Sequence, residues 1–160
     1  MTTTIDAADL TVTITETITI NGQSLGGSNV QSFQSANDPA DPITSVYKRI
    51  VPVPLTKITL ITNTASAVGG STFDEDLVKY VRVTNKDDTN YVDLVVANSE
   101  GDEFCLRLKA GTSFILWDQN DMLNADNAGV TPGAGMEGVA SIEAIADTAV
   151  CDVEVFVAST

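Results

Sequence analysis

Chemistry in this chain would have to rest on carboxylates, because it has 22 acidic residues, 2 cysteines and no histidine. Three acidic groups stand out: Asp74-Glu75-Asp76, Asp87-Asp88, and the oxygen-rich run of Asp118, Asn120, Asp121, Asn124 and Asp126. Calcium prefers such oxygen ligands, and Asp118, Asp121 and Asp126 are the candidates for holding it. Met122 and Leu123 interrupt the run where an EF-hand loop would continue its polar and glycine pattern, so a solvated acidic loop is the simpler reading. Paired carboxylates at roughly 5 to 10 Å can run glycoside hydrolysis, but no spacing here singles out a pair.

The missing imidazole removes the usual general base near neutral pH and the commonest nitrogen ligand for metals. A Ser-His-Asp or Cys-His nucleophile system cannot be assembled within one subunit. Cys105 and Cys151 lie too far apart for a CxxC metal site. Strand alternation places Cys105 with Glu103 and Arg107, away from Phe104, Leu106 and Leu108, whereas Cys151 shares the apolar set of Val153, Val155 and Val157. The two thiols therefore point to different faces, and both are expected to be free. Gly26-Gly27 and the glycines from Gly133 to Gly138 lack the phosphate-loop arrangement. Trp117, the one tryptophan, ends a short strand beside Asp118, where it packs in a core or stacks on a sugar ring. No catalytic residue and no cofactor is expected.

The elements that would position these side chains are strands. Leu10, Val12, Ile14, Ile18 and Ile20 alternate with Thr11, Thr13, Thr15, Thr17 and Thr19, a period of two with β-branched residues on both faces. Asn21-Gly22 follows, a dipeptide suited to the positive φ angles of a tight turn. The pattern then lapses, so residues 22–45 read as a long loop or arm with one short strand near Val30 to Phe33, and residues 1–9 as a flexible N-terminal extension. Val46 to Val53 carries Pro52, which suits a sheet edge. Val78 to Thr84 and Tyr91 to Ala97, joined by Asn85 to Asn90, have the form of a β-hairpin, and a second follows through Asn98 to Asp102. Gly138 to Ala146 fits helix or strand equally, Asp118 to Glu137 is a second long loop, and Cys151 to Ala158 closes as a strand. The sum is an all-β chain, a single domain over 1–160 built as an antiparallel, jelly-roll-like β-sandwich of about eight or nine short strands with two long loops.

Charge is unevenly placed. The net charge is −14, which opposes a grip on phosphate backbones or anionic lipid, so neither nucleic acid nor membrane is expected as a partner. Residues 71 to 160 account for 17 of the 22 acids, while 13 threonines lie in the first 70 residues. A strand without charged guards invites other strands. Thr11, Thr13, Thr15, Thr17, Thr19, Val30 and Phe33 are therefore the candidate subunit-interface residues. Met1 to Leu10 has no cationic start or apolar run, so no signal peptide is expected.

The stretches ITETITING (14–22), YVRVTNKDDTNYVDLVV (80–96), EFCLRLKAGTSFIL (103–116) and CDVEVFVAS (151–159), spaced by Asn, Asp and Gly loops, resemble small β-sandwich structural proteins of tailed bacteriophages. The resemblance is one of texture and element order over residues 10 to 158, and carries no functional residue across. It implies a virion component made in the host cytoplasm. The expected role is capsid decoration or cement, docked on the major capsid protein or other virion proteins as a homo-oligomer, with a trimer as first expectation. The alternative is a tail or fibre domain that binds a host-surface glycan or receptor.

Overall fold

Cys151, Val153, Val155 and Val157 near the end of the chain have almost no solvent contact, whereas Asp152, Glu154 and Phe156 between them are exposed or half-buried. This period-two burial recurs throughout the computed structural model, which describes residues 8–33, 43–66, 69–117 and 138–160. Among these residues there are thirteen strands and no helix. They are β1 (Leu10–Thr15), β2 (Thr19–Ile20), β3 (Gln23–Ser24), β4 (Ser28–Phe33), β5 (Ser45–Val53), β6 (Ile58–Thr64) and β7 (Thr72–Asp74). They continue with β8 (Val78–Asn85), β9 (Val92–Ala97), β10 (Glu103–Leu108), β11 (Ser113–Trp117), β12 (Ser141–Ala146) and β13 (Cys151–Ser159).

The chain divides into two compact units, Met1–Thr44 together with Thr160, and Ser45–Ser159. The larger unit holds two sheets, ordered β10-β9-β12-β6-β7 and β11-β8-β13-β5. Leaving aside short β7, which adds parallel to β6, its eight strands pair antiparallel in a nested way: β5 with β13, β6 with β12, β8 with β11 and β9 with β10. The inward faces of both sheets form one apolar cluster that includes Val53, Leu60, Val83, Leu94, Ile142 and Val155. Burying each such side chain contributes about 1.5–3 kcal/mol. The larger unit is thus an antiparallel β-sandwich.

Several details differ from the sequence reading. β8 and β9 do not form a hairpin; they belong to different sheets, and residues 86–91 cross between the layers. Both strands are apolar enough for either arrangement, and the choice is fixed by Asn85, a fully buried corner residue. Its Nδ2 donates to the carbonyls of Asn90 (2.9 Å) and Leu108 (3.1 Å), and its Oδ1 accepts from the Asp87 N–H (3.0 Å). The Asn98 to Asp102 connection does join a hairpin, β9 with β10. The ambiguous segment is strand β12, burying Ile142, Ala144 and Ala146 between β6 and β9. β5 lies at a sheet edge, which accommodates Pro52. Residues 22–45 are not one long loop, because Gln23–Ser24 and Ser28–Phe33 are strands. The sandwich accordingly occupies Ser45–Ser159, and the strands before it form their own unit. Of the expected N-terminal extension, residues 1–7 lie outside the described residues, as does the Asp118 to Glu137 loop.

Candidate interaction surface

Ala8–Phe33 folds as a two-stranded ribbon. One register runs its whole length, from Leu10 opposite Phe33 to Thr15 opposite Ser28, then from Thr19 opposite Ser24 to Ile20 opposite Gln23. Between these ladders the Glu16 N–H donates to the Gly27 carbonyl (2.8 Å) and the Leu25 N–H to the Ile18 carbonyl (2.9 Å), so pairing persists across the central break. Asn21 and Gly22 cap the ribbon with φ of 51° and 79°, the two positive values that a type I′ turn requires.

Directly opposed residues share a face in an antiparallel pair. One face of the ribbon therefore carries Leu10, Val12, Ile14, Ile18 and Ile20 with Leu25 and Phe33. The other carries the five threonines with Ser24, Ser28, Ser32 and Val30. The aliphatic row is open to solvent along much of its length: Ile14 is 38% exposed, Ile18 46%, Ile20 50% and Leu25 60%. Glu16 is the one charge within that row, and Ala8–Phe33 holds no basic residue. An isolated two-stranded hairpin is marginal in water, so a ribbon with this much exposed aliphatic surface has the character of half an interface.

The backbone adds a second feature. Since Glu16 and Ile18 direct their bonding groups to the opposite leg, the alternation turns the N–H and C=O of Thr11, Thr13, Thr15, Thr17 and Thr19 outward. No third strand covers that edge among the described residues.

Six of the seven sequence-predicted interface residues thus gather on the hydroxyl face of the ribbon. Phe33 does not; it stands opposite Leu10 on the other face and is buried. The short strand expected near Val30 to Phe33 is the end of the second leg, in β4; the sequence reading missed the rest of that leg, Gln23 to Asn29, whose polar composition hides the pairing. Its signal was the Asn21-Gly22 turn itself, which obliges the following residues to run back along the preceding strand.

The larger unit holds all 8 bases and 17 of the 22 acids, and several bases are already engaged. Arg107 grips Asp93 through two bonds of 2.7 and 2.8 Å and stacks 3.6 Å above the Tyr91 ring, which holds the Asp93 carboxyl below its ordinary range. Lys57 reaches Glu143 at 2.6 Å and Glu103 at 3.5 Å. Arg82 and Lys48 both meet Glu154. The surplus acids (17 against 8 bases) leave this unit at −9, and the ribbon, with Asp9 and Glu16 and no base, is anionic too, at −2.

The acidic groups resolve into local turns where they are described. Asp87 accepts the N–H groups of Asn90 (2.6 Å) and Thr89 (2.8 Å), which lower its carboxyl pKa. Asp74 accepts the Asp76 N–H at 3.2 Å. No three His, Cys, Asp or Glu residues are grouped to hold a metal ion among the described residues. Asp118, Asp121 and Asp126 lie outside them. Trp117 is half-buried at the end of β11, Cys105 is exposed and Cys151 buried, and both thiols are free, in agreement with the alternation argument.

No family model, curated protein or solved structure matches this chain.

Proposed function

We propose that this chain is a non-enzymatic structural protein of a virion, a decoration or cement protein that docks on the head shell and stabilises it. The observation that carries this reading is the exposed ribbon: a half-aliphatic β-arm with two carboxylates, Asp9 and Glu16, and no base, whose apolar row is open to solvent in a chain whose other unit is a sandwich. The nested strand pairing of that sandwich supports a jelly roll, an architecture of viral capsid and lectin domains. In this reading the aliphatic row of Ile14, Ile18, Ile20 and Leu25 lies against the major capsid protein or another virion protein. The sandwich unit faces solvent. Burying apolar area between neighbouring capsomers, about 1,000 Å² or more in total for a specific contact, holds the shell together. A tail or fibre domain that binds a glycan is the second reading, and the half-buried Trp117 at a strand end is the observation on its side.

The test offers purified full-length chain to head shells that lack it. Wild type should bind saturably and raise the shells' disruption temperature, and a variant carrying Ile18→Glu and Leu25→Glu should do neither. Undiminished binding by that variant would remove the ribbon from docking.

A further inference from the structure

The outward edge of the first strand has a symmetry of its own. Read from Leu10 to Ile20, the residues run Leu, Thr, Val, Thr, Ile, Thr, Glu, Thr, Ile, Thr, Ile, which is palindromic in polarity about Thr15 except at Ile14 and Glu16. We propose that this edge pairs with itself. Leu10–Ile20 of one copy lies antiparallel to Leu10–Ile20 of a second copy about a two-fold axis at Thr15, and two ribbons become one four-stranded sheet.

The geometry favours that occupant. The residues with outward N–H and C=O groups are the five threonines, and in this register they meet one another: Thr15 with Thr15, Thr13 with Thr17, Thr11 with Thr19. Thr–Thr pairs across strands are favourable. On the other face Leu10 meets Ile20 and Val12 meets Ile18, which joins two aliphatic rows into one broad apolar surface. Glu16 stands beside Ile14 of the other copy rather than beside its own counterpart, so the single charge meets no like charge directly. Neither lysine nor proline guards the edge, the usual means by which exposed strands avoid such pairing. The strand has no base to attract an acidic partner and little charge to attract a basic one, whereas an identical strand matches it along its full length. The second leg, Gln23 to Phe33, offers no such match, because it contains Gly26 and Gly27 and lacks the alternation. The contact is isologous, a two-fold in place of the three-fold assembly that the resemblance implies.

This pairing uses the threonine edge, whereas docking uses the aliphatic face, so the two can fail separately. Sedimentation of the full chain should give twice the 16.8 kDa chain mass, and Thr15→Pro, which removes one outward N–H and leaves the ribbon's own bonds in place, should give a single-chain mass. Register is read by disulfide trapping in a Cys105→Ser background. Thr15→Cys should cross-link with itself, since opposed Cα atoms in such a pair lie about 5.5 Å apart. Thr11→Cys alone should not, but Thr11→Cys mixed with Thr19→Cys should. A wild type that stays monomeric at every concentration would overturn the proposal, as would a dimeric Thr15→Pro or self-linking of Thr11→Cys as readily as Thr15→Cys. Shell binding by a monomeric Thr15→Pro would leave the docking reading intact.

Discussion

The backbone of Glu16 passes so close to Gly26 that a Cβ on Gly26 would stand 2.0 Å from the Glu16 carbonyl oxygen and 3.1 Å from the Thr17 Cα. Both contacts are with backbone, so no side-chain rotation relieves them. This pinch lies between the two ladders of the ribbon, and it decides which residues can occupy the second leg.

Gly26→Ala should therefore break the ribbon at its middle and leave the sandwich intact. Hydrogen exchange should show the Leu25 amide, which donates to Ile18, losing most of its protection. The thermal transition of the Ser45–Ser159 unit should move little, because the change lies outside that unit. Retained protection at Leu25 would mean that the pinch opens without cost.

Asn85→Ala should destabilise the sandwich by about 2–4 kcal/mol, because it strips three hydrogen bonds from a corner that excludes water. Chemical denaturation checks this, and a loss under about 1 kcal/mol would show that the corner is held by packing alone.

These two positions also mark where the sequence is legible and where it is not. Leu10 to Ile20 declares itself as a strand because both faces are patterned, and Asn21-Gly22 declares the turn because few residues tolerate its φ angles. Gln23 to Asn29 does not, because a stretch exposed on both faces needs no hydrophobic alternation to pair through its backbone. Cys151 to Val157 is legible since one face is buried. The link from β8 to β9 is not, because a hairpin and a crossover use the same apolar strands and differ through the long-range bonds of one asparagine side chain. Thr13 and Val30 could be named as surface residues, but their direct opposition is a matter of register, which follows only once the turn is placed.

Acid should weaken the sandwich in a definite window. Asp93 is held below its ordinary pKa first by its bonds to Arg107, with burial opposing, and Asp87 by the Asn90 and Thr89 amides. Burial pushes Glu154 upward, but its bonds to Lys48 and Arg82 outweigh that and leave it lowered. A carboxyl lower in the folded state stabilises the fold above its unfolded pKa, near 4, and that contribution fades as pH falls through the folded value. The melting temperature should thus fall below about pH 4, and Arg107→Gln should flatten the part of that fall that belongs to Asp93. A profile unchanged by Arg107→Gln would show that the pair contributes nothing measurable.

Thiol reactivity should split between the two cysteines. Cys105 is exposed and Cys151 buried, with burial first and the neighbouring Asp87 second pushing the Cys151 thiol upward. A chromogenic disulfide reagent should titrate one thiol per native chain rapidly and the second only on unfolding. Two fast thiols in the native state would contradict the burial of Cys151.

The central claim is that the ribbon is an assembly arm, and a cryo-EM reconstruction of the native particle tests it most directly. This chain should lie on the outer head shell, with the Ile14, Ile18, Ile20 and Leu25 face buried against a neighbouring chain and the sandwich turned to solvent. A map that placed the chain at the tail tip, or left that aliphatic face in solvent on the shell, would contradict it.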